Sequence, residues 1–278
     1  MIFFAANSLL ARLALRAGQI DGASFTGVRI VAGAAALVLL TSFRKEGVGA
    51  ARRHGSLRPA FALFCYAITF SFAYLSLNAG AGAVVLFAAV QVSMLGIGIA
   101  QGERPRLSEW TGLAVAFGGL VYLVSPGMTA PSPVGVSLMA VSGASWGYYS
   151  FAARGISSPM AATAGNFVRA IPLAVGALIV LWAIGHPHAT WFGIGLAAAS
   201  GGVASGLGYA LWYTALKNLS TSLAAIVQLT VPVLTAAAGV MLLDERLTWR
   251  LALASAVILG GVALALVGRN PAASSANE

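Results

Sequence analysis

The sequence predicts an all-α integral membrane protein, ten transmembrane helices arranged as two inverted five-helix repeats. Three observations predict it. The chain of 278 residues is 59% hydrophobic and only 8% charged, with a mean hydropathy of +0.88. A soluble domain carries roughly 25% charged residues to face water, so most of this surface must face lipid. Apolar segments of about twenty residues, the length needed to cross a bilayer, follow one another with short breaks. Finally, residues of the first half recur in order in the second half at a nearly constant offset.

The ten predicted spans are roughly 1–17, 25–43, 59–78, 81–101, 108–125, 134–153, 160–184, 191–216, 220–242 and 249–267. Backbone groups in lipid must be satisfied within their own segment, which dictates helices. The first stretch lacks a basic region ahead of its apolar core, so it reads as a first membrane helix starting part-way through its span, not as a secretory signal. Gly18 to Gly22, Pro126 to Pro133, Arg154 to Pro159 and Gly185 to His188 are turn-rich breaks. The expected organisation is a first repeat over residues 1–125, a second over 134–267, and a disordered cytoplasmic tail over 268–278.

Orientation follows from basic residues near the span ends. With the N-terminus inside, ten of them, including Arg44, Lys45, Arg52, Arg53, Arg58, Arg104 and Arg154, fall on cytoplasmic ends. Four (Arg12, Arg16, Arg246 and Arg250) fall outside. Both termini are therefore expected in the cytoplasm. The net charge of +9 has this cause, which removes the argument for nucleic acid. A single cysteine, Cys65, excludes a disulfide framework.

The repeat is read from paired residues. Glu103-Arg104 and Glu245-Arg246 are 142 residues apart, as are Gly118-Gly119 and Gly260-Gly261. Val28-Arg29 matches Val168-Arg169 at 140, and Tyr74 and Leu77 match Tyr213 and Leu216 at 139. Five helices is an odd number, so the halves must insert in opposite orientations. Inverted repeats are the architecture of secondary transporters, with the solute site near the midplane between them.

Enzymatic chemistry is poorly supported. His54, His186 and His188 fall in predicted loops, with no spacing suited to a metal and no intramembrane serine to serve. Every acidic residue (Asp21, Glu46, Glu103, Glu109, Asp244, Glu245 and Glu278) lies at a span end, in a loop or in the tail. Intramembrane carboxylates are the usual proton relays, so facilitated movement is expected, with a coupling role left open for Glu103 and Glu245. No cofactor and no metal is expected. The partners are a small-molecule solute and the bilayer, and a monomer suffices.

The candidate site residues are aromatic and uncharged polar. Tyr66, Phe70 and Tyr74 share one face of the third span at i, i+4, i+8. Tyr209 and Tyr213, beside Trp212, hold equivalent positions in the eighth, together with Ser205. Trp146 and Tyr149 share a face of the sixth. Such faces suit planar or apolar solutes with a polar end, in competition with helix packing or, for Tyr74 and Tyr213, interfacial anchoring. Phe87 and Gln91 form a further lining pair, with Gln228 in the ninth span and Asn166 in the seventh as buried amides. Arg29 and Arg169 either bind a solute carboxylate or tie down backbone carbonyls. Pro232 is expected to kink the ninth helix as a gate element. Gly96, Gly98 and the Gly-Gly pairs are expected to permit close helix approach.

These residues carry a family resemblance across essentially the whole chain. Trp146-Gly147, Val28-Arg29, Val168-Arg169, Pro232 with Glu245-Arg246, Glu103-Arg104 and the Gly-Gly pairs resemble the drug/metabolite transporter superfamily, and within it the EamA family of ten-helix proteins with two five-helix repeats. The first half departs from the pattern: Phe4-Ala5 stands where Trp146-Gly147 stands in the second, and Val90 replaces Pro232. Within the family the chain most resembles the YddG-type exporters of aromatic amino acids. That resemblance implies export of aromatic and other neutral amino acids across a bacterial inner membrane. Another metabolite or multidrug exporter of the same fold, and a lipid flippase or scramblase, are the alternatives.

Overall fold

The computed structural model describes residues 1–43, 49–102, 106–125, 127, 130–153, 156–185, 187–216 and 227–267. Glu103, Arg104, Arg154, His186 and the expected tail lie outside the described residues, and of Tyr213 only the backbone is described. The helices are α1 (Ile2–Arg16), α2 (Gly22–Ser42), the short α3 (Ala50–Arg53), α4 (Leu57–Ala73), α5 (Ala79–Ala100), α6 (Leu107–Val124), α7 (Pro133–Ala152) and α8 (Pro159–Ile184). Then come α9 (Trp191–Ala198), a π-helical stretch Ala199–Leu207, α10 (Gly208–Leu216), α11 (Thr230–Leu243) and α12 (Trp249–Val267). Among the described residues the only β-type pairing is one isolated bridge between Ile20 and Ala189. Helix occupies each of the ten predicted segments. Five stretches are long and apolar enough to cross a membrane: Gly22–Ser42, Ala79–Ala100, Pro159–Ile184, Trp191–Trp212 and Trp249–Leu266.

Local chemistry sets the helix ends. Asp21 caps α2 by accepting from the Ser24 amide at 2.8 Å, and its second oxygen accepts from the His188 amide at 3.0 Å, so one carboxylate ties two loops. Ser132 and Thr190 cap α7 and α9 through their hydroxyls. Glu109 closes the first turn of α6 by accepting from the Arg106 amide at 2.7 Å. After α11, Asp244 takes the left-handed conformation at φ 51° and ends the helix.

Packing pairs the elements across the two halves. The α6 and α12 helices pack together, as do α2 and α8; α4 packs on α7, and α1 on the π-helical stretch. Likewise α5 packs on α7 while α1 packs on α11, and α5 meets α11. Small residues allow these approaches. A Cβ added at Gly112 would strike the Gly261 carbonyl, and one at Gly261 would strike the Ala116 amide. On α7, a Cβ at Gly143 would strike the Leu86 carbonyl and one at Gly147 the Ser93 hydroxyl.

One sequence expectation changes here. Gly96, Gly118 and Gly260 have open space where a Cβ would stand: in the pairs Gly118-Gly119 and Gly260-Gly261 only the second glycine packs, because the first faces away from the neighbouring helix. Gly98 is buried. The helix is interrupted just before Pro232: Val227 and Gln228 are helical, the chain turns at Leu229, and helix resumes at Thr230 with Pro232 in its first turn. Sequence inspection also passed over Pro172, which lies inside α8.

Candidate functional site

The core is built on a chain of aromatic rings. Tyr66, Phe70 and Tyr74 lie along α4 with centroids 5.5 and 4.7 Å apart, and all three are buried. Trp146 meets Tyr66 at 5.0 Å. Its indole stacks with two further rings, Tyr149 at 5.3 Å and 26° and Tyr209 at 5.2 Å and 21°. Gly147 explains the position of that indole: lacking a Cβ, it lets α7 lie against α5 and carry Trp146 inward. Phe4 and Phe167 complete the edge at 6.0 and 6.1 Å from Tyr209. Trp212 touches only the Phe4 edge of this cluster, at 6.0 Å. Among the described residues, Phe87, Gln91 and Gln228 make no ring contact or hydrogen bond with the cluster; Phe87 packs in the core, and both amides are half-buried.

Polar groups converge on the same rings from four elements. The Tyr66 hydroxyl accepts from Arg29 Nη2 at 2.8 Å and from Asn7 Nδ2 at 3.3 Å. The Ser200 hydroxyl, from the π-helical stretch, donates to Asn7 Oδ1. Gly201 brings that stretch against the Arg29 carbonyl, which a Cβ would strike. The Arg29 guanidinium lies over the Tyr66 ring at 5.0 Å and the Phe70 ring at 4.8 Å. It is 2% exposed, and its Nη1 has no hydrogen-bond partner among the described residues. Ser205, also singled out in the sequence, is buried with its hydroxyl unpartnered.

The two ends of α4 differ. At its N-terminal end a cavity of about 190 Å³ is lined by His54, Ser56, Tyr149, Ile156, Thr163 and Asn166 among others. Tyr149 Oη donates to Thr163 Oγ1 at 3.2 Å, and Asn166 Oδ1 accepts from the Ser56 amide at 2.9 Å. Arg169 borders this region. Its Nη1 donates to the carbonyls of Ala51, His54 and Gly165, fastening the α3–α4 connection to α8.

At the C-terminal end, about 25 Å away for a 17-residue helix, a clasp closes the bundle. Arg12 Nε pairs with Glu245 Oε1 at 3.0 Å, both side chains less than a tenth exposed. Arg12 Nη1 donates to the Tyr74 carbonyl at 2.9 Å and Nη2 to Asn78 Oδ1 at 3.2 Å. Glu245 Oε2 accepts from the Ala79 amide, at the first turn of α5, at 2.8 Å, where the helix dipole favours a carboxylate. Arg12, placed by the sequence among the charges at the outside span ends, is the buried partner of an ion pair. One expectation is corrected here. Tyr74 is fully buried behind this clasp, which rules out interfacial anchoring.

Sequence reasoning missed Asn7, Ser200 and the Arg12–Glu245 pair. The Asn7 signal was present, an amide inside an apolar segment. The ion pair joins residues 233 apart, and no local pattern could disclose it.

Apolar helices, five of them long enough to cross a membrane, packed around a buried polar and aromatic centre with a cavity beside Tyr149, fit a polytopic membrane protein. Residues 133–267 match the model of the EamA-like transporter family. The chain is 46% identical over 269 residues to the uncharacterized protein PA1977 of Pseudomonas aeruginosa, covering 97% of this chain and 92% of that one. A crystal structure of a protein 20% identical in sequence superposes with a TM-score of 0.66, covering 97% of this chain and 98% of the other, and shows a shared fold. The chain belongs to the EamA-like transporter family, a family of transporters and not of enzymes.

Proposed function

We propose that this protein exports small neutral organic solutes, above all aromatic and other neutral amino acids, across a bacterial inner membrane. It does so by alternating access between two inverted five-helix halves, residues 1–125 and 134–267. The observation that carries the solute class is the aromatic cluster of Trp146, Tyr149 and Tyr209, of which Tyr149 also lines the cavity. A solute ring entering that cavity meets an aromatic surface at Tyr149.

The inverted repeat is supported by the matched residues and by the packing pairs. Exchanging the two halves turns α4 against α7 into the π-helical stretch against α1, and α5 against α7 into α11 against α1; all four contacts are present. With both termini cytoplasmic, the cavity faces inward and the Arg12–Glu245 clasp closes the outward end. An exporter in that state is poised to load.

Uptake of labelled tryptophan, phenylalanine, threonine and lysine into proteoliposomes, with and without a proton gradient, tests the proposal. Saturable uptake of the neutral amino acids without a gradient is expected, falling at least tenfold in Trp146→Ala. Absence of flux for all four would overturn the substrate class. Flux only under a gradient would overturn facilitation and turn attention to Glu245.

A further inference from the structure

Among the described residues, Arg29 is the one cation placed against the aromatic cluster, and its charge has no counter-ion there. The buried acids among the described residues are Glu109 and Glu245. The first closes the α6 turn and the second is committed to Arg12 and the Ala79 amide. Arg29 has instead two ring faces and one tyrosine hydroxyl. A buried cation so poorly compensated is costly, and Nη1 holds a donor in reserve. With the Asn7 amide as placed, Tyr66 accepts from two donors, and its own proton is a second spare donor beside the first. Turning that amide over would absorb the Tyr66 proton and leave Nη1 still unspent.

We propose that Arg29 is a carboxylate receptor and that the site reads the acid of its solute and not the amine. The preferred cargo class is then the aromatic monocarboxylate anion, with or without an α-amino group. The solute's ring lies against the aromatic cluster while a carboxylate oxygen accepts the Nη1 hydrogen, a charge-assisted bond in a site shielded from water. An ammonium group would meet the Arg29 charge with no carboxylate to offset it. The potential of a bacterial membrane, negative inside, drives an anion outward. Net export of such a cargo therefore needs no proton-relay carboxylate at mid-depth.

This rests on the proposed aromatic solute path, and the test separates the two. Proteoliposomes at pH 8 are offered labelled phenylalanine, 3-phenyllactate and phenylalaninol, with protein-free vesicles as the leak control. Phenylalanine and phenyllactate should enter saturably and phenylalaninol should enter at least tenfold more slowly. An imposed potassium diffusion potential should change phenyllactate flux and leave phenylalanine flux unchanged. Arg29→Gln should lower phenyllactate flux at least tenfold, and Arg29→Lys should retain part of it. Equal fluxes of phenylalanine and phenylalaninol would overturn the carboxylate receptor and leave the aromatic path standing. So would full phenyllactate flux in a folded Arg29→Gln. If none of the three compounds enters, both proposals fall. Should Arg29→Gln not fold, the wild-type comparison and its potential dependence still decide.

Discussion

Tyr66 is the residue on which the centre depends. Its ring carries the Arg29 charge and the Trp146 edge, its hydroxyl serves two donors, and its backbone carbonyl accepts from Ser142 at 3.0 Å. Tyr66→Phe keeps the ring and strands Arg29 Nη2 and Asn7 Nδ2 without an acceptor. Leaving buried donors unmet costs about 1–3 kcal/mol, so the variant should melt several degrees lower in detergent while still folding. An unchanged melting temperature would show that both donors find other acceptors. The sequence placed Tyr66 on the correct face of its helix, because helical periodicity fixes that. It left open whether Arg29 or Arg169 touched the site. The two arginines occupy matching repeat positions, yet one lies over rings and the other binds loop carbonyls, a difference set by what surrounds each.

At the scale of the element, the π-helical stretch Ala199–Leu207 sets the geometry of the centre. Seven of the nine residues of its sequence, ASGGVASGL, are Ala, Ser or Gly, which lets it press on α2 and present Ser200 to Asn7. Insertions of this kind in helices recur at functional positions. Gly201→Ala would drive a Cβ into the Arg29 carbonyl. Backbone cannot yield as a flexible side chain does, so a loss of about 1–3 kcal/mol follows, with weaker transport through displacement of Arg29. Gly260→Ala, which meets open space, is the matched control and should be neutral in the same thermal assay. If Gly201→Ala proves equally neutral, the close approach is dispensable. Nothing in the composition of Trp191–Leu216 distinguishes a π-helical turn from an α-helical one, since both satisfy the backbone internally.

Across the whole molecule, the end with the cavity and the end with the clasp are separated by the length of α4, and among the described residues one buried ion pair holds the clasp. Removing one partner of a buried pair costs about 3–5 kcal/mol, because the other charge remains without a mate. Glu245→Gln should therefore release the contacts that Arg12 makes with Tyr74 and Asn78. In a Cys65→Ala background, Leu77→Cys, at a position that is fully buried, should then react faster with a membrane-impermeant maleimide than in the Glu245 parent. Equal rates would show that the end is held shut by apolar packing alone.

The sequence by itself determined the membrane-embedded helical class, the placement of nearly every helix to within a few residues, and the family. Those properties are written locally: apolar run length against bilayer thickness, turn residues at breaks, caps such as Asp21 and Ser132. Only the tertiary structure decided that Trp146 stacks with Tyr149 and with Tyr209, that Asn7 and Ser200 join Tyr66 to form the centre, and that Arg12 meets Glu245. Those contacts join side chains from different helices, and apolar sequences carry little record of which face meets which neighbour. In lipid every face of a helix is apolar, so amphipathic patterning no longer marks the inside. The pairing is left to shape and to the few polar groups that must find each other.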